Sequence, residues 1–272
     1  MSTLREFESA ADYQACVELQ KLTWGENFTE CVPPIIQMVG QKIGGVSAGA
    51  FDDSGKLIGF VFGLTGVKNS AIVHWSDMLA VRPEFRDKGL GIKLKHFQRE
   101  LCLKNGVEVV YWTYDPLESR NANFNLNKLG VEIDEYVPNM YESSGGALHA
   151  GLSMDRCIVA WHIAEDRFEK TLTARRSYSE NLLNQAPVIN GSNVENDEFL
   201  PGELLDSTSE TIRIEIPEDV QKLKQKSMTA AKAWRKSTRA AFEKYMEAGY
   251  QITAFYRDAQ ARRCFYFLHC KI

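Results

Sequence analysis

The feature that most constrains this chain is the stretch Asp77-Met-Leu-Ala-Val-Arg-Pro-Glu-Phe-Arg-Asp-Lys-Gly-Leu-Gly-Ile92. The run from Ala71 to Val81 predicts a strand, which Arg82 and Pro83 end. From Gly91 to Lys104 the pattern predicts a helix with Leu90, Leu94, Phe97 and Leu101 on one face, stopped by Asn105 and Gly106. Between the two lies Arg86-x-x-Gly89-x-Gly91. A helix N-terminus carries unpaired backbone N–H groups and a partial positive charge, so it holds phosphate well. Glycine permits close backbone approach and unusual dihedrals. Arg86 and Lys88 add charge, and a guanidinium makes two parallel bonds to one phosphate. Strand, loop and helix together predict a pyrophosphate site. The three glycines of a dinucleotide fingerprint and the Walker loop are both missing.

The segment Leu79 to Gly91 resembles the acetyl-CoA motif of the GNAT acyltransferase superfamily, and Asn127-Lys128-Leu129-Gly130 resembles the end of that family's second cofactor helix. The likeness runs, in element order, over residues 4 to 165. It implies an α/β fold with a mixed, mostly antiparallel sheet flanked by helices. It implies that the backbone of Leu79, Ala80 and Val81 pairs with a pantetheine arm. Arg86, Asp87, Lys88, Gly89, Leu90 and Gly91 would hold the pyrophosphate, and Asn121 would bind the cofactor's arm. The co-substrate implied is acetyl-CoA or another acyl-CoA, with no metal. The acceptor implied is the primary amine of a small molecule, entering between the strands of Asp77 and Tyr111. It would attack directly in a ternary complex and receive an acetyl group or a larger one such as succinyl.

The chain departs from the family at one chemically important place. Many members carry a tyrosine four residues before the glycine of the helix end, where it protonates the departing thiolate; here that place holds Leu126. An asparagine usual earlier in that helix aligns with Ser119. The usual general acid is therefore missing unless Tyr111, Tyr114, Tyr136 or Tyr141 reaches the sulfur from elsewhere, and Tyr141 is the candidate carried forward. The alternative is a catalytically inactive acyl-CoA-binding sensor or assembly module.

Acyl transfer to an amine requires that the ammonium lose its proton. Asp77, on the strand entering the motif, is the first candidate base, directly or through water, although a structural carboxylate is the plainer reading of it. His74 is the next candidate, because a neutral imidazole accepts protons near neutral pH. Three residues from Asp77 on a strand, it should face the other side of the sheet. His149 lies in the glycine-rich stretch from Ser143 to Gly151. Cys102, beside Leu101 and Leu103, reads as packing.

The remaining pattern predicts a helix over 7–22, a short helix at 35–39, and a strand hairpin at 46–51 and 56–64. Strands are expected at 107–112, 131–136 and 157–163, with a helix at 119–129. The expected organisation is a GNAT-like domain over 1–170, a linker or long loop over 171–210, and a smaller α/β appendage over 211–272. That appendage reads as strand, long helix (218–248), strand and strand, and so echoes Ser119 to Ile163 as a degenerate repeat. Lys222, Lys224, Lys226, Lys232, Arg235, Lys236 and Arg239 read as a solvated basic helix face, while Trp234, Ala241, Phe242 and Tyr245 read as core.

The 272 residues carry a net charge of −4, which argues against a general nucleic-acid binder. The N-terminal stretch has no apolar core of a signal peptide, and no run is long and apolar enough for a membrane span. Six scattered cysteines fit a reducing cytoplasm. A homodimer is compatible with this reading.

Overall fold

The computed structural model describes residues 2–141, 151–164, 185–195 and 198–270. His149 lies outside them. In chain order the strands are β1 (Thr3–Glu6), β2 (Val46–Phe51), β3 (Leu57–Lys68), β4 (Ala71–Val81), β5 (Val109–Tyr114), β6 (Glu132–Val137), β7 (Arg156–His162), β8 (Ser192–Glu195), β9 (Glu198–Pro201), β10 (Thr211–Ile216), β11 (Tyr250–Asp258) and β12 (Arg263–Cys270). The helices are α1 (Ala10–Trp24), α2 (Pro34–Lys42), α3 (Leu90–Lys104), α4 (Ser119–Ala122), α5 (Val220–Lys226) and α6 (Met228–Glu247). A 3-10 turn spans Pro83–Phe85, and α4 runs on as a π-helix over Asn123–Lys128. No helix among the described residues is long and apolar enough to cross a membrane. The chain divides into two compact units, residues 2–112 with 160–164, and residues 113–141, 151–159 and 185–270 so far as described.

In the first unit the strands lie in the order β1-β2-β3-β4-β5, with the end of β7 beyond β5. Pairing is antiparallel from β1 to β4 and parallel between β4 and β5. One face is covered by α1 and α2, where Phe7, Tyr13, Leu19, Phe60, Phe62, Met78 and Ala80 form a continuous core. Helix α1 is well specified by sequence. Ser9 caps it in a capping box with Asp12, whose carboxylate also takes two bonds from Arg5 at 2.8 and 2.9 Å. Those bonds, led by the one from Arg5, lower the Asp12 pKa to about 2.

Helix α3 covers the other face and departs from expectation. Phe97 and Leu101 are only half-buried, while Lys95 and Gln98 are buried along with Leu90, Leu94 and Cys102. The reason lies in the strand opposite, which offers polar groups there rather than apolar ones.

In the second unit the end of β5, the start of β7 and β6 run in the order β5-β7-β6, and a separate antiparallel sheet has the order β10-β12-β11. Trp234, Phe242 and Tyr245 of α6 are buried, and Tyr266 makes edge contacts with Phe242 and Phe255 at ring distances of 5.3 and 5.0 Å. The helix expected over 218–248 is two helices. Ser227, extended at φ −152°, ends α5 and caps α6 by accepting from Ala230. Within residues 185–210, β8 pairs with β9, and Ile189 and Asn190 are fully buried.

The basic face of α5 and α6 is not wholly solvated. Arg235 is 4% exposed and donates to Asp115 at 2.5 Å, and Arg239 bonds Asp155. Sequence periodicity put arginine on a polar face, but two aspartates of this unit draw these two guanidinium groups inward.

Candidate active site

Strand β4 contains one residue more than its partner. Phe62 of β3 faces Met78 and the next residue, Gly63, faces Ser76, so Asp77 is the extra residue of a β-bulge. Its effect is to exchange the faces of the strand. After the bulge, Met78 and Ala80 point into the core under α1. Before it, His74 and Ser76 point toward α3, where they bond Gln98 and Lys95. Glycine is required at position 63, because a Cβ there would sit 2.3 Å from His74 Nε2 and 2.5 Å from the Trp75 carbonyl.

Pairing between β4 and β5 covers only Val73–Trp75 against Val109–Tyr111. Beyond Trp75, the β4 edge turned away from β3 has no partner strand among the described residues. Leu79, Ala80 and Val81 lie on this stretch, paired on their other side to Val61, Phe60 and Gly59. An unpaired strand edge presents a row of N–H and C=O groups able to take an extended polar chain.

The edge leads directly into the loop. Arg82 anchors the turn by donating through Nε to the Leu57 carbonyl at 2.7 Å. Arg86 and Lys88 are exposed, with Nε of the first on the Val81 carbonyl and Nζ of the second on the Glu84 carbonyl, both at 3.0 Å. Asp87 has φ 60° and Gly89 φ 76°, the left-handed region. Gly89 is the N-cap of α3, and no side chain caps that helix, so its first-turn N–H groups remain available to an anion. Leu90 is buried and fixes the helix start.

Asp77, at the bulge, has its carboxyl pKa raised, first by desolvation and then by the negative charge of Glu30. Its residue surface is nevertheless exposed, so solvent and substrate have access. Of the other expected residues, Asn121 is exposed on α4. Tyr141 is exposed too, its hydroxyl 3.5 Å from Thr113 Oγ1 and its ring 5.4 Å from the Arg156 guanidinium. Both belong to the second unit, whereas the loop and Asp77 belong to the first.

Solved structures resembling the chain are acetyltransferases. Ard1 from Thermoplasma volcanium is 18% identical, with 58% of this chain and 95% of that one covered at a TM-score of 0.46. The structure of yncA from Salmonella typhimurium, determined with its cofactor acetyl-CoA, is 18% identical over 61% and 95% of the two chains at 0.47. Aminoglycoside 6'-acetyltransferase type Ii is 18% identical over 59% and 97% at 0.47. No protein-family model and no curated protein sequence matches the chain. The chain is a mixed α/β fold whose large, mostly antiparallel sheet is flanked by helices, the architecture that the resemblance to the GNAT acyltransferases implied.

Leu126, at the place where the resemblance leads one to expect a tyrosine, is completely buried within the π-helix. The amide-rich character of that helix is partly structural. Asn127 donates to Asn123 and to the Phe255 carbonyl, both at 2.9 Å, and Asn125 is buried.

Strand β4 also carries a buried polar chain that sequence reasoning missed. Lys95 is 2% exposed. Its ammonium donates to Ser76 Oγ at 3.0 Å and to Gln98 Oε1 at 2.9 Å, and lies 3.6 Å from the Trp112 ring centroid. Gln98 Nε2 is 3.0 Å from His74 Nε2, and His74 Nδ1 is 3.0 Å from Thr65 Oγ1, which donates to the Gly44 carbonyl at 2.6 Å. The directions of these bonds follow from one another. Thr65 has spent its proton, so His74 Nδ1 must be the donor to it, and His74 Nε2 must accept from Gln98. His74 is therefore neutral, in agreement with burial and the Lys95 charge lowering its pKa to about 3. Lys95 has no carboxylate partner among the described residues, and desolvation lowers its own pKa to about 7.

Proposed function

We propose that this protein transfers an acyl group from an acyl-coenzyme A to the primary amine of a small molecule, by direct attack in a ternary complex. One observation carries the reading: an unpaired strand edge leads, through the short loop bearing Arg86 and Lys88, to an uncapped helix N-terminus. An extended amide-bearing arm ending in a pyrophosphate complements that surface along its whole length. The backbone of Leu79, Ala80 and Val81 pairs with the arm. Arg86, Lys88 and the N–H groups from Asp87 through Gly91 hold the phosphates, and Asn121 contributes an amide. The acyl-CoA supplies an activated carbonyl and a thiol leaving group.

Asp77 takes the amine's proton, directly or through water. Its pKa, raised by desolvation and by Glu30, makes it a better base than an ordinary aspartate. Tyr141 is the tyrosine candidate for returning a proton to the departing thiolate. The acyl group is acetyl or a larger one such as succinyl. The net charge of −4 favours a small amine over a nucleic-acid partner. The tail from residue 211 reads as a degenerate second copy of the preceding half, because the order β10-β12-β11 repeats first, third, second as in β5-β7-β6.

One observation favours a second reading, an acyl-CoA sensor without turnover: Leu126 is fully buried at the place of the usual general acid. Calorimetric titration of acetyl-CoA, succinyl-CoA and free CoA, beside an Arg86→Ala variant, tests the shared basis. Removing a charge-assisted phosphate contact should weaken binding by about 1.5–3 kcal/mol. Failure of the unmodified protein to bind any CoA refutes both readings. Binding followed by turnover with an amine panel selects the enzyme.

A further inference from the structure

Acyl transfer leaves a thiolate that must gain a proton, and the helix position that normally supplies one is an occluded leucine. Ser76 occupies a different but suitable place. It follows Trp75, the last β4 residue paired with β5, so it stands where the strand edge opens, next to Asp77. The bulge turns Ser76 toward α3, where its hydroxyl oxygen accepts from the Lys95 ammonium. That ammonium is held by Gln98, whose own orientation is locked by His74 and Thr65. An interior cation without a carboxylate partner is expensive to maintain, and its network is complete apart from the Ser76 proton, which no bond in that network uses.

We propose that Ser76 is the general acid of the acyl transfer, with Lys95 as the proton source behind it. The inference rests on the acyl-CoA reading above. As the carbon–sulfur bond breaks, sulfur takes the Ser76 hydroxyl proton and the Ser76 oxygen takes one from Lys95 Nζ. One proton moves from nitrogen to sulfur, and Lys95 is left neutral until water reprotonates it after product release. The proton shed by the attacking amine goes separately to Asp77. The direction is favourable, because an ammonium titrating at about 7 is a stronger acid than a thiol of about 8.5. The titratable groups facing Lys95 are His74 from β4, neutral throughout this range, and Cys102 from α3, whose thiol pKa burial raises to about 12; β5 and β7 present the rings of Trp112 and Trp161. None of them supplies a competing charge near neutral pH.

Two measurements test this. The first follows the titration of 15N-labelled lysine Nζ by NMR, with Lys95 assigned through Lys95→Met, in the presence of CoA or of desulfo-CoA. If Ser76 joins Lys95 to the sulfur, CoA moves the Lys95 midpoint by roughly half a pH unit or more and desulfo-CoA does not. Equal midpoints with the two ligands overturn the proposal. The second compares turnover. Ser76→Ala should lower kcat by about 100-fold and abolish the decline of kcat above about pH 7, while acetyl-CoA Kd stays within a few fold and Ser76→Thr restores the profile. A Ser76→Ala enzyme with the unmodified pH profile also overturns the proposal. Loss of CoA binding by the unmodified protein would instead refute the acyl-CoA reading on which this one rests.

Discussion

Replacing Lys95 by methionine should stabilise the protein, and by an amount that falls as pH rises. The native ammonium releases its proton near pH 7 because burial penalises the charge, whereas the unfolded chain holds it to about 10.5. Below pH 7 both states are protonated and the full desolvation penalty is present. Between pH 7 and 10.5 the unfolded state binds more protons than the native one, so wild-type stability rises with pH and the variant's advantage shrinks. At about 1.4 kcal/mol per tenfold difference in proton affinity, the advantage is about 5 kcal/mol at pH 6, about 3 at pH 8 and about 1 at pH 10. Losing the bonds to Ser76 and Gln98 subtracts roughly 1–2 kcal/mol at every pH, which leaves the change across the range near 4. Urea unfolding of both proteins at those three pH values, followed by tryptophan fluorescence, gives the difference directly. Groups common to both chains cancel. A difference independent of pH would refute the reasoning, since it would mean that Lys95 titrates alike in the folded and unfolded states.

Other perturbations test other parts of the account. Asp77→Asn should lower kcat by about 100-fold or more and remove the acidic limb of the pH–rate profile, which the raised carboxyl pKa places at a higher pH than an ordinary aspartate would. Asp12→Asn should cost about 2 kcal/mol at neutral pH, a difference that vanishes as pH falls through about 4 toward 2, where the native carboxyl protonates; thermal melts from pH 2 to 7 give this. Gly89→Ala places a side chain at φ 76° and should cost about 1 kcal/mol of stability, measured in urea, while weakening CoA binding in the same titration used for Arg86→Ala. Asp115→Asn strips the buried Arg235 of its closest partner and should destabilise by about 3–5 kcal/mol in the same unfolding assay.

The parts of this fold legible in the sequence are those governed by local chemistry. Ala71–Val81 is a strand at the expected bounds, and α3 begins at the glycine loop, because the pattern, the proline stop and the left-handed glycine all act within a few residues. The buried face of α3 was misplaced. Lys95 sits there beside Leu94, and nothing within the helix says that a lysine will turn inward. The signal lay across the chain, in the alternation of His74 and Ser76 on β4 with Gln98 three residues beyond Lys95. The break at Ser227 inside an otherwise continuous helical pattern escaped for a related reason. Serine is tolerated within a helix, and only its extended backbone and its bond to Ala230 reveal a cap. Arg235 and Arg239 read as surface because helical periodicity reports polarity, and an arginine drawn in by an aspartate is polar all the same.

Because Asp77 is the surplus residue in β4, the strand is read in two frames: even-numbered side chains serve the polar chain under α3 up to Ser76 and the apolar core under α1 from Met78 onward. Drawing Asp77 into the regular ladder would put both sets on the same side, driving an imidazole and a hydroxyl into the hydrocarbon core or Met78 and Ala80 against the ammonium, whereas deleting it would leave each set on its own face. A saturation scan along β4 should therefore find even positions intolerant on both sides of position 77, with the demand changing there from hydrogen-bonding side chains at His74 and Ser76 to apolar ones at Met78 and Ala80.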